Sequence, residues 1–517
     1  MGRHKHIFVQ AVVCLQLLSL SLYTYGEPCG KSAITPLQNG LLQAKTGEER
    51  YKVLYETHQK ANEKGLTVDY KGLDTIRLTI PAWAEPISIK KDCNFHGVVF
   101  VVENKTKELY LFSIRNEAKA VEVPAANIDN GDFDGCKELC DGEKILVVED
   151  QKPWVANRKG YTYGHIRKDV LLLKGGHSKN KPIMPYNNEN SQPVCRYYDV
   201  NAHRICFSNM VLNRTESSTS RTYLLDVKGS KVELRDVVIN TPRSDMVNDQ
   251  AIFIAESADV RFKNVTINGT YCRRNHSGYG ILMDAVYDVS FDNLIGDADW
   301  GIFGNNNINR ARLQNCDINR FDIHCYGKDV TFKKCKFRNL YNQFSSVYGK
   351  VLFDSCEFFD FVPFLFESSY NAYTAFDLTF KECSVHANKE RNYLIDGGAL
   401  NGEKTTERPE LRKQEYPRLV IDGLKLIMDD GSETYYIYKF QRKLLQWPQD
   451  NVPGLKRIKK IEFTPEKKQK VVLSNREAIV RYPESEYVPY VIGVGGLSCA
   501  GVFILCLNKR RNKREKV

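Results

Sequence analysis

The chain has 517 residues, of which 42% are hydrophobic and 26% charged, with 18 prolines and 34 glycines. This composition is typical of a globular protein of two or three domains and excludes collagen-like and wholly disordered chains. The net charge of +11 is concentrated at the ends, because the last ten residues contribute +5 and Arg3 with Lys5 contribute +2. No dense Lys/Arg block remains in the body to follow a phosphate backbone, so we expect no nucleic-acid partner.

The N-terminus has the layout of a secretory signal peptide. A basic start precedes an apolar stretch from Ile7 to Leu22, and the small residue Gly26 follows. We therefore predict a signal peptide over residues 1–26, with an ordinary buried helix as the alternative. Residues 27–92 are predicted to form an N-terminal cap region.

That cap region contains a predicted amphipathic helix from Gly47 to Gly65. Five side chains share one face of it and would cover the end of a larger core. They are Tyr51, Leu54, Tyr55, His58 and Ala61. His58 is interpreted as a packing residue.

One eight-residue pattern recurs along the chain and determines the predicted architecture. Its nine copies begin at Ile205, Val232, Val260, Val289, Ala311, Val330, Val351, Leu378 and Leu419. Positions one, three, six and eight are apolar in all cases but Gly296. The period of two breaks between positions three and six, which predicts two short strands joined by a bend.

Position five marks that bend with side chains that tolerate a left-handed backbone. The first five copies have Asn209, Asp236, Asn264, Asn293 and Asn315 there. The marker then fades, because the later copies have Lys334, Ser355, Glu382 and Gly423.

Coils of about 20 to 30 residues without a long helix predict a parallel β-solenoid, in which stacking supplies the core that one coil lacks. We expect position three to stack through Phe262, Phe291, Leu313, Phe332, Phe353 and Phe380. Position six should form an inward column of Cys316, Cys335, Cys356 and Cys383, as buried free thiols rather than disulfides.

These coils and asparagine bends resemble right-handed parallel β-helix proteins of the pectin-lyase-like superfamily, from Ile205 to Leu426 and more distantly from Cys93. We predict an all-β fold, a right-handed parallel β-helix over residues 93–440 with an N-terminal capping helix. The resemblance implies that active sites and glycan grooves lie on the outside of such a sheet.

The C-terminal part predicts a membrane anchor. The Lys-rich residues 441–486 suggest a cap and stalk, and residues 487–507 contain no charge and are long enough for a transmembrane helix. The basic tail at 508–517 would remain in the cytoplasm, leaving the solenoid at the cell surface. The alternative is a sorting signal removed on attachment.

The strongest candidate site is the sequence NRFDIHCYGK from Asn319. If the apolar residues point inward, strand alternation places Arg320, Asp322 and His324 in a row on the outer face. As catalytic candidates, Arg320 would neutralise a uronate carboxylate and His324 would act as the base or a sugar-stacking ligand. Asp322 would orient His324 or accept hydrogen bonds from sugar hydroxyls. The alternative is a solvated face held by its own ion pairs.

Neighbouring coils supply candidate substrate-binding residues. These are Asp297, Asp299, Trp300, Asn305, Asn306, Tyr341 and Asn342, with Gln343 beside them. Trp300 would offer an apolar platform for a sugar ring.

No metal ion or cofactor is predicted. A zinc site would need a second cysteine pair, or nearby histidines, beside Cys136 and Cys140. Asp297 and Asp299 are too few acidic groups for calcium, and the Gly-His-Gly element of a polygalacturonase-type site is absent.

Two classes of function remain open. The first is a surface-anchored solenoid that binds polysaccharide or glycan through an outer sheet face. The second is a lyase or glycoside hydrolase acting on an acidic, uronate-containing polysaccharide. Both would use the same outer sheet.

Overall fold

A computed structural model describes the chain over residues 33–474. The parts left out of that range are 105, 107, 152–165, 188–190, 216–221, 242–249, 270–277, 299–300, 339–340, 345–346, 367–375, 397–417, 429–433, 440–454, 459–460 and 465–469. The predicted signal peptide, membrane span and basic tail lie outside the described residues. Within the described part of the chain, no helix is both long enough and apolar enough to cross a bilayer.

The N-terminal region contains one long helix and the first coil strands. Its elements are β1 (Ala33–Ile34), α1 (Gly47–Lys64), β2 (Thr67–Val68), β3 (Thr75–Ile80), β4 (Ile87–Ser88), β5 (Cys93–Asn104) and β6 (Leu109–Arg115). Helix α1 packs on β3 and β4, as predicted for a capping helix. It begins at a capping box formed by Thr46 and Glu49 and ends at Gly65, whose φ is 64°.

His58 of α1 is a packing residue, as the sequence indicated. Its ring is buried, and Nε2 lies 2.9 Å from the Tyr70 hydroxyl. Burial lowers the pKa of His58 to about 3, so the imidazole stays neutral.

An antiparallel sheet interrupts the solenoid within residues 93–440, the range predicted to be β-helix. Its elements are β7 (Lys119–Val121), α2 (Ala125–Asn130), α3 (Lys137–Cys140), β8 (Glu143–Asp150), β9 (Lys168–Lys174), β10 (His177–Ser178) and β11 (Pro193–Val200). The strand order is β10-β9-β8-β11-β7. The predicted β-helix range 93–440 therefore contains a part that is not β-helix, because these described strands pair antiparallel with one another.

The parallel stack continues after this inserted sheet. Its strands are β12 (Ile205–Arg214), β13 (Thr222–Lys228), β14 (Val232–Asn240), β15 (Gln250–Gly269), β16 (Tyr279–Ala298), β17 (Gly301–Gln314), β18 (Asp317–Ile318), β19 (Phe321–Lys333), β20 (Lys336–Arg338), β21 (Tyr341–Phe344), β22 (Val347–Asp354), β23 (Glu357–Phe359), β24 (Val362–Phe366), β25 (Phe376–Ala387), β26 (Tyr393–Asp396), β27 (Arg418–Met428), β28 (Thr434–Lys439), β29 (Leu455–Ile458), β30 (Ile461–Thr464) and β31 (Lys470–Ser474).

Parallel pairing between successive coils confirms a β-helix and extends it at both ends. Strand β5 pairs in parallel with β3 before it and with β12 after it, so the first coil begins at Thr75 rather than Cys93. At the other end, β29 and β30 pair in parallel with β27, and β31 pairs with β28. The segment predicted as cap and stalk therefore contributes another coil.

The predicted inward columns are present. Phe332 lies in register with Phe353, and their stacked ring centroids are 4.7 Å apart. Cys335 and Cys356 have no exposed surface. Residues far apart in sequence thus supply one another's apolar environment, which a lone coil could not do.

The cysteines whose side chains are described are all thiols, which agrees with the predicted free column. Each column thiol donates to a carbonyl of the preceding coil; for example, Cys356 Sγ lies 3.5 Å from the Phe332 oxygen. Burial raises the pKa of Cys356, so this thiol stays protonated. Cys136 and Cys140, a possible local disulfide by their spacing, are also unbonded, and Cys140 Sγ donates to the Cys136 carbonyl at 3.2 Å.

The inserted sheet lies against the coils through both apolar and polar contacts. Leu172 and Val170 of β9 pack in one cluster with Ala285 and Tyr287 of β16. Lys168 donates to the Asp284 carboxylate at 2.9 Å. This sheet therefore covers part of the solenoid, and the segment that follows β10 reaches β19, where Lys328 donates to the Pro182 carbonyl at 3.0 Å.

Candidate functional site

His324 lies at an irregularity in the coil register. Asn305 pairs with Ile323 and Asn306 pairs with Cys325, so His324 is an extra residue between two paired positions. Such β-bulges re-aim a side chain and are frequent beside functional sites. The His324 side chain is 16% exposed, whereas its neighbour Asp322 has no exposed surface.

Two polar groups hold the His324 imidazole on the outer face. Its Nε2 lies 3.1 Å from the Tyr279 hydroxyl and 3.8 Å from Asp322 Oδ2. Tyr279 also meets the imidazole edge-to-face, with ring centroids 5.8 Å apart. Gly304 makes room for this arrangement, because a Cβ there would lie 2.8 Å from the Tyr279 ring.

The predicted row of Arg320, Asp322 and His324 is brought together on one side of β19. Arg320 donates from Nε to Asp322 and from a terminal nitrogen to the Gln343 side chain. Its guanidinium carbon lies 4.5 Å from the centre of the Tyr341 ring, a cation–π contact.

The electrostatics of the row are those of a buried ion pair. Burial is the largest single influence and lowers the pKa of Arg320. The charge and hydrogen bond of Asp322 and the nearby tyrosine hydroxyls together raise that pKa by more, so the guanidinium stays charged. The Arg320 side chain is 1% exposed. The ion-paired alternative therefore describes Arg320 and Asp322, while His324 reaches the surface.

Two predicted substrate-binding residues are fully buried. Asn305 shares a strand face with the core residue Phe303 and has no exposed surface, so it points inward. Asn342 accepts from the Phe321 amide at 2.9 Å and donates to the Pro363 carbonyl at 3.1 Å, which braces neighbouring strands.

The remaining predicted substrate-binding residues lie on three strands or outside the described residues. Asn306 is half-buried opposite Cys325, and Tyr341 lies against Arg320 as described above. Asp297 belongs to β16, where it pairs with Asn268 of β15. Asp299 and Trp300 lie outside the described residues.

Tyr279 is the site residue that the sequence did not indicate. It lies 45 positions before His324 and two coils earlier in the stack, because β16 pairs with β17 and β17 pairs with β19. The coil spacing varies between copies, so sequence arithmetic alone does not bring these two side chains together. Only the observed register places the phenol over Gly304 and beside the imidazole.

The row itself offers one carboxylate and one imidazole, too few ligands for a resident metal ion. Among the described residues, one group of Asp and His ligand atoms is close enough to hold a metal, and it lies in the inserted sheet. The row can instead provide hydrogen-bond donors and acceptors and a short proton path between Tyr279 and His324.

No protein-family model and no curated protein matches the chain. Among solved structures, the tailspike protein gp49 from Pseudomonas phage LKA1 is similar at 12% identity, over 89% of this chain and 82% of that one, with a TM-score of 0.49. The Gp54 tailspike of Acinetobacter baumannii bacteriophage AP22, solved in complex with A. baumannii capsular saccharide, is 8% identical over 86% and 77% of the two chains, with a TM-score of 0.47. The Pseudomonas phage phi297 tailspike gp61 is 9% identical over 86% and 82%, with a TM-score of 0.44.

Proposed function

We propose that this chain is a polysaccharide- or glycan-binding β-helix protein whose ligand lies on the outer face beside His324 and Tyr279. One observation carries the proposal: the bulge at His324 aims a partly exposed imidazole outward from a row that is otherwise buried. Imidazole and phenol groups donate and accept hydrogen bonds to sugar hydroxyls, and their rings offer apolar surface to a sugar face.

In this proposal, Arg320 and Asp322 are positioning residues. Their ion pair is desolvated and hydrogen-bonded to Gln343, so it fixes β19 and the carboxylate beside His324. A rigid support of this kind reduces the entropy that the binding side chains lose when a ligand is held.

The proposal also includes features that were inferred from the sequence alone. The coils would be right-handed and pectin-lyase-like, and Asp297, Asp299 and Trp300 would extend the binding face. A signal peptide at 1–26 and a membrane span at 487–507 would hold the solenoid at the cell surface.

A lyase or hydrolase acting on a uronate-containing polysaccharide is the second candidate, and the geometry supports it less. That chemistry needs an accessible carboxylate or a cation that meets the substrate carboxylate. Arg320, predicted to meet the substrate carboxylate, has a side-chain exposure of 1%, and Asp322, the carboxylate of the row, has 0%. The His324–Tyr279 pair is the remaining acid–base candidate.

The test is a binding measurement on the purified chain with neutral and uronate-containing polysaccharides. Removing one or two ligand hydrogen bonds in His324→Ala should weaken binding by roughly 3- to 30-fold. His386→Ala is the matched control, since His386 is also half-buried but stacks on Phe359, with ring centroids 4.5 Å apart. Equal binding by both variants and the unsubstituted chain would exclude this face.

The same samples separate binding from catalysis. Unsaturated products and reducing ends are followed during incubation with uronate polymers. Release above that of His324→Ala would overturn the binding-only proposal in favour of the enzyme. Binding without release supports it.

A further inference from the structure

A cluster of metal-type ligands forms where the inserted sheet brings two distant segments together. Asp132 and His177 form an isolated antiparallel bridge, and the Phe133 amide donates to the Gly176 carbonyl at 2.9 Å. Phe133 is buried in the core of the inserted sheet. Because Phe133 points inward, Asp132 and Asp134 on either side of it face outward beside His177.

The ligand atoms of these three residues all lie within 4.8 Å of one another. His177 Nε2 is 3.4 Å from Asp134 Oδ1, and His177 Nδ1 is 3.9 Å from Asp132 Oδ1. Zinc bound at about 2.1 Å by nitrogen and oxygen has ligands about 3.4 Å apart in a tetrahedron. These two distances start from different ring nitrogens of His177, and a zinc ion takes only one of them. Rotation of the exposed Asp132 or His177 side chain is therefore needed to bring the three ligand atoms, which lie within 4.8 Å of one another, to that spacing.

Gly176 allows a carboxylate and a thiol to approach the chain closely beside His177. Its φ is +77°, and a Cβ there would lie 2.8 Å from Asp134 Oδ1 and 3.1 Å from Cys140 Sγ. Asp134 Oδ1 and Cys140 Sγ thus both lie next to Gly176, and these two atoms are at most 5.9 Å apart. A side chain at position 176 would displace the Asp134 carboxylate from its place beside His177.

We propose that Asp132, Asp134 and His177 form a zinc site, with a water molecule completing the coordination. An imidazole ligand favours zinc over calcium and magnesium, which prefer all-oxygen sets. The three side chains are 60–65% exposed, so the ion enters from solvent without opening the fold. The sequence predicted no metal site because His177 is distant from the cysteine pair along the chain.

The experiment is a Zn²⁺ titration of the chelator-treated full chain by calorimetry, repeated with Ca²⁺. We expect one equivalent of Zn²⁺ to bind, with at least tenfold weaker affinity in His177→Ala and in Asp134→Asn. His203→Ala is the matched control, because the exposed His203 pairs with Asp92 at 3.0 Å but is not part of the three-ligand cluster.

Three results would each overturn the site: no Zn²⁺ binding, equal binding by His177→Ala and the unsubstituted chain, or Ca²⁺ bound as tightly as Zn²⁺. Circular dichroism of each variant shows whether the fold is kept. The measurement does not involve glycan binding, so its outcome is independent of the function proposed for the His324 face.

Discussion

The residue at position five adopts a left-handed backbone in every copy, whatever its type. Asn209 has φ of 60°, and the late residues Lys334, Ser355 and Glu382 have 52°, 57° and 49°. The early asparagines identified the bend because their side chains tolerate this conformation and also bond to one another, as Asn293 Nδ2 does to Asn264 Oδ1 at 3.1 Å. In later coils the stacked neighbours impose the same geometry on residues with no such preference.

A matched pair of valine substitutions tests this strain. Lys333 and Lys334 are both exposed, but Lys333 ends strand β19 and Lys334 is left-handed. Lys334→Val should lower the free energy of unfolding by about 1–2 kcal/mol, because a β-branched side chain clashes in the left-handed region. Lys333→Val should change it by less than about 0.5 kcal/mol. Urea unfolding of both variants checks this, and equal effects would contradict it.

At the scale of elements, the sequence predicted what repeats and missed what does not. The Phe332 and Cys335 columns were predictable because inward positions keep one spacing within each copy. The inserted sheet was not, since β8 and β9 each carry a nearly continuous apolar run whose partners have no fixed sequence spacing. In the candidate site, alternation predicted the row, but the bulge at His324 and the partner Tyr279 depend on register.

Helix α1 illustrates an element that local signals define. Thr46 Oγ1 accepts from the Glu49 amide at 3.1 Å, and Glu49 Oε2 accepts from the Thr46 amide at 3.0 Å. Its inner face then covers the end of the coil stack, where Tyr51 donates to the Glu85 carbonyl at 2.5 Å. The cap and the packing therefore support the same helix boundary.

Thr46→Ala should destabilise the folded chain by about 1 kcal/mol, because the amides of the first turn lose their side-chain acceptor. Thr46→Ser keeps the hydroxyl and should retain most of the stability. Thermal unfolding of the two variants gives the comparison. Identical transition temperatures for alanine and serine would show that the box contributes nothing to the capped end.

At the scale of the whole molecule, the solenoid and the inserted sheet are joined by a buried carboxylate. Glu256 lies at a left-handed corner of β15 and accepts from Arg196 of β11 at 2.6 and 3.1 Å. Tyr198 also donates to it, and Lys228 Nζ lies 3.7 Å away. Arg196 also forms an ion pair with Glu149 of β8, in the inserted sheet, at 3.3 Å. This network links two bodies whose strands do not pair with each other.

The network makes the stability of the molecule depend on pH. Burial is the largest single influence and raises the pKa of Glu256. The hydrogen bonds from Arg196 and Tyr198, together with the positive charges of Arg196 and Lys228, lower that pKa by more, to below its usual value of 4.5. Because the folded-state pKa is the lower one, the stabilisation is fully present above the unfolded-state pKa. It is lost as pH falls through the folded-state pKa.

Transition temperatures measured from about pH 7 down to about pH 3 should therefore fall less steeply in Glu256→Gln than in the unsubstituted chain. The amide keeps the shape of the side chain but cannot titrate, so the variant should be less stable at neutral pH and approach the unsubstituted chain in acid. Glu357→Gln is the control, because the Glu357 carboxylate also pairs with a cation, Lys336 Nζ at 3.8 Å, but its side chain is 45% exposed. Parallel pH profiles for Glu256→Gln and the unsubstituted chain would mean that the acid sensitivity arises elsewhere.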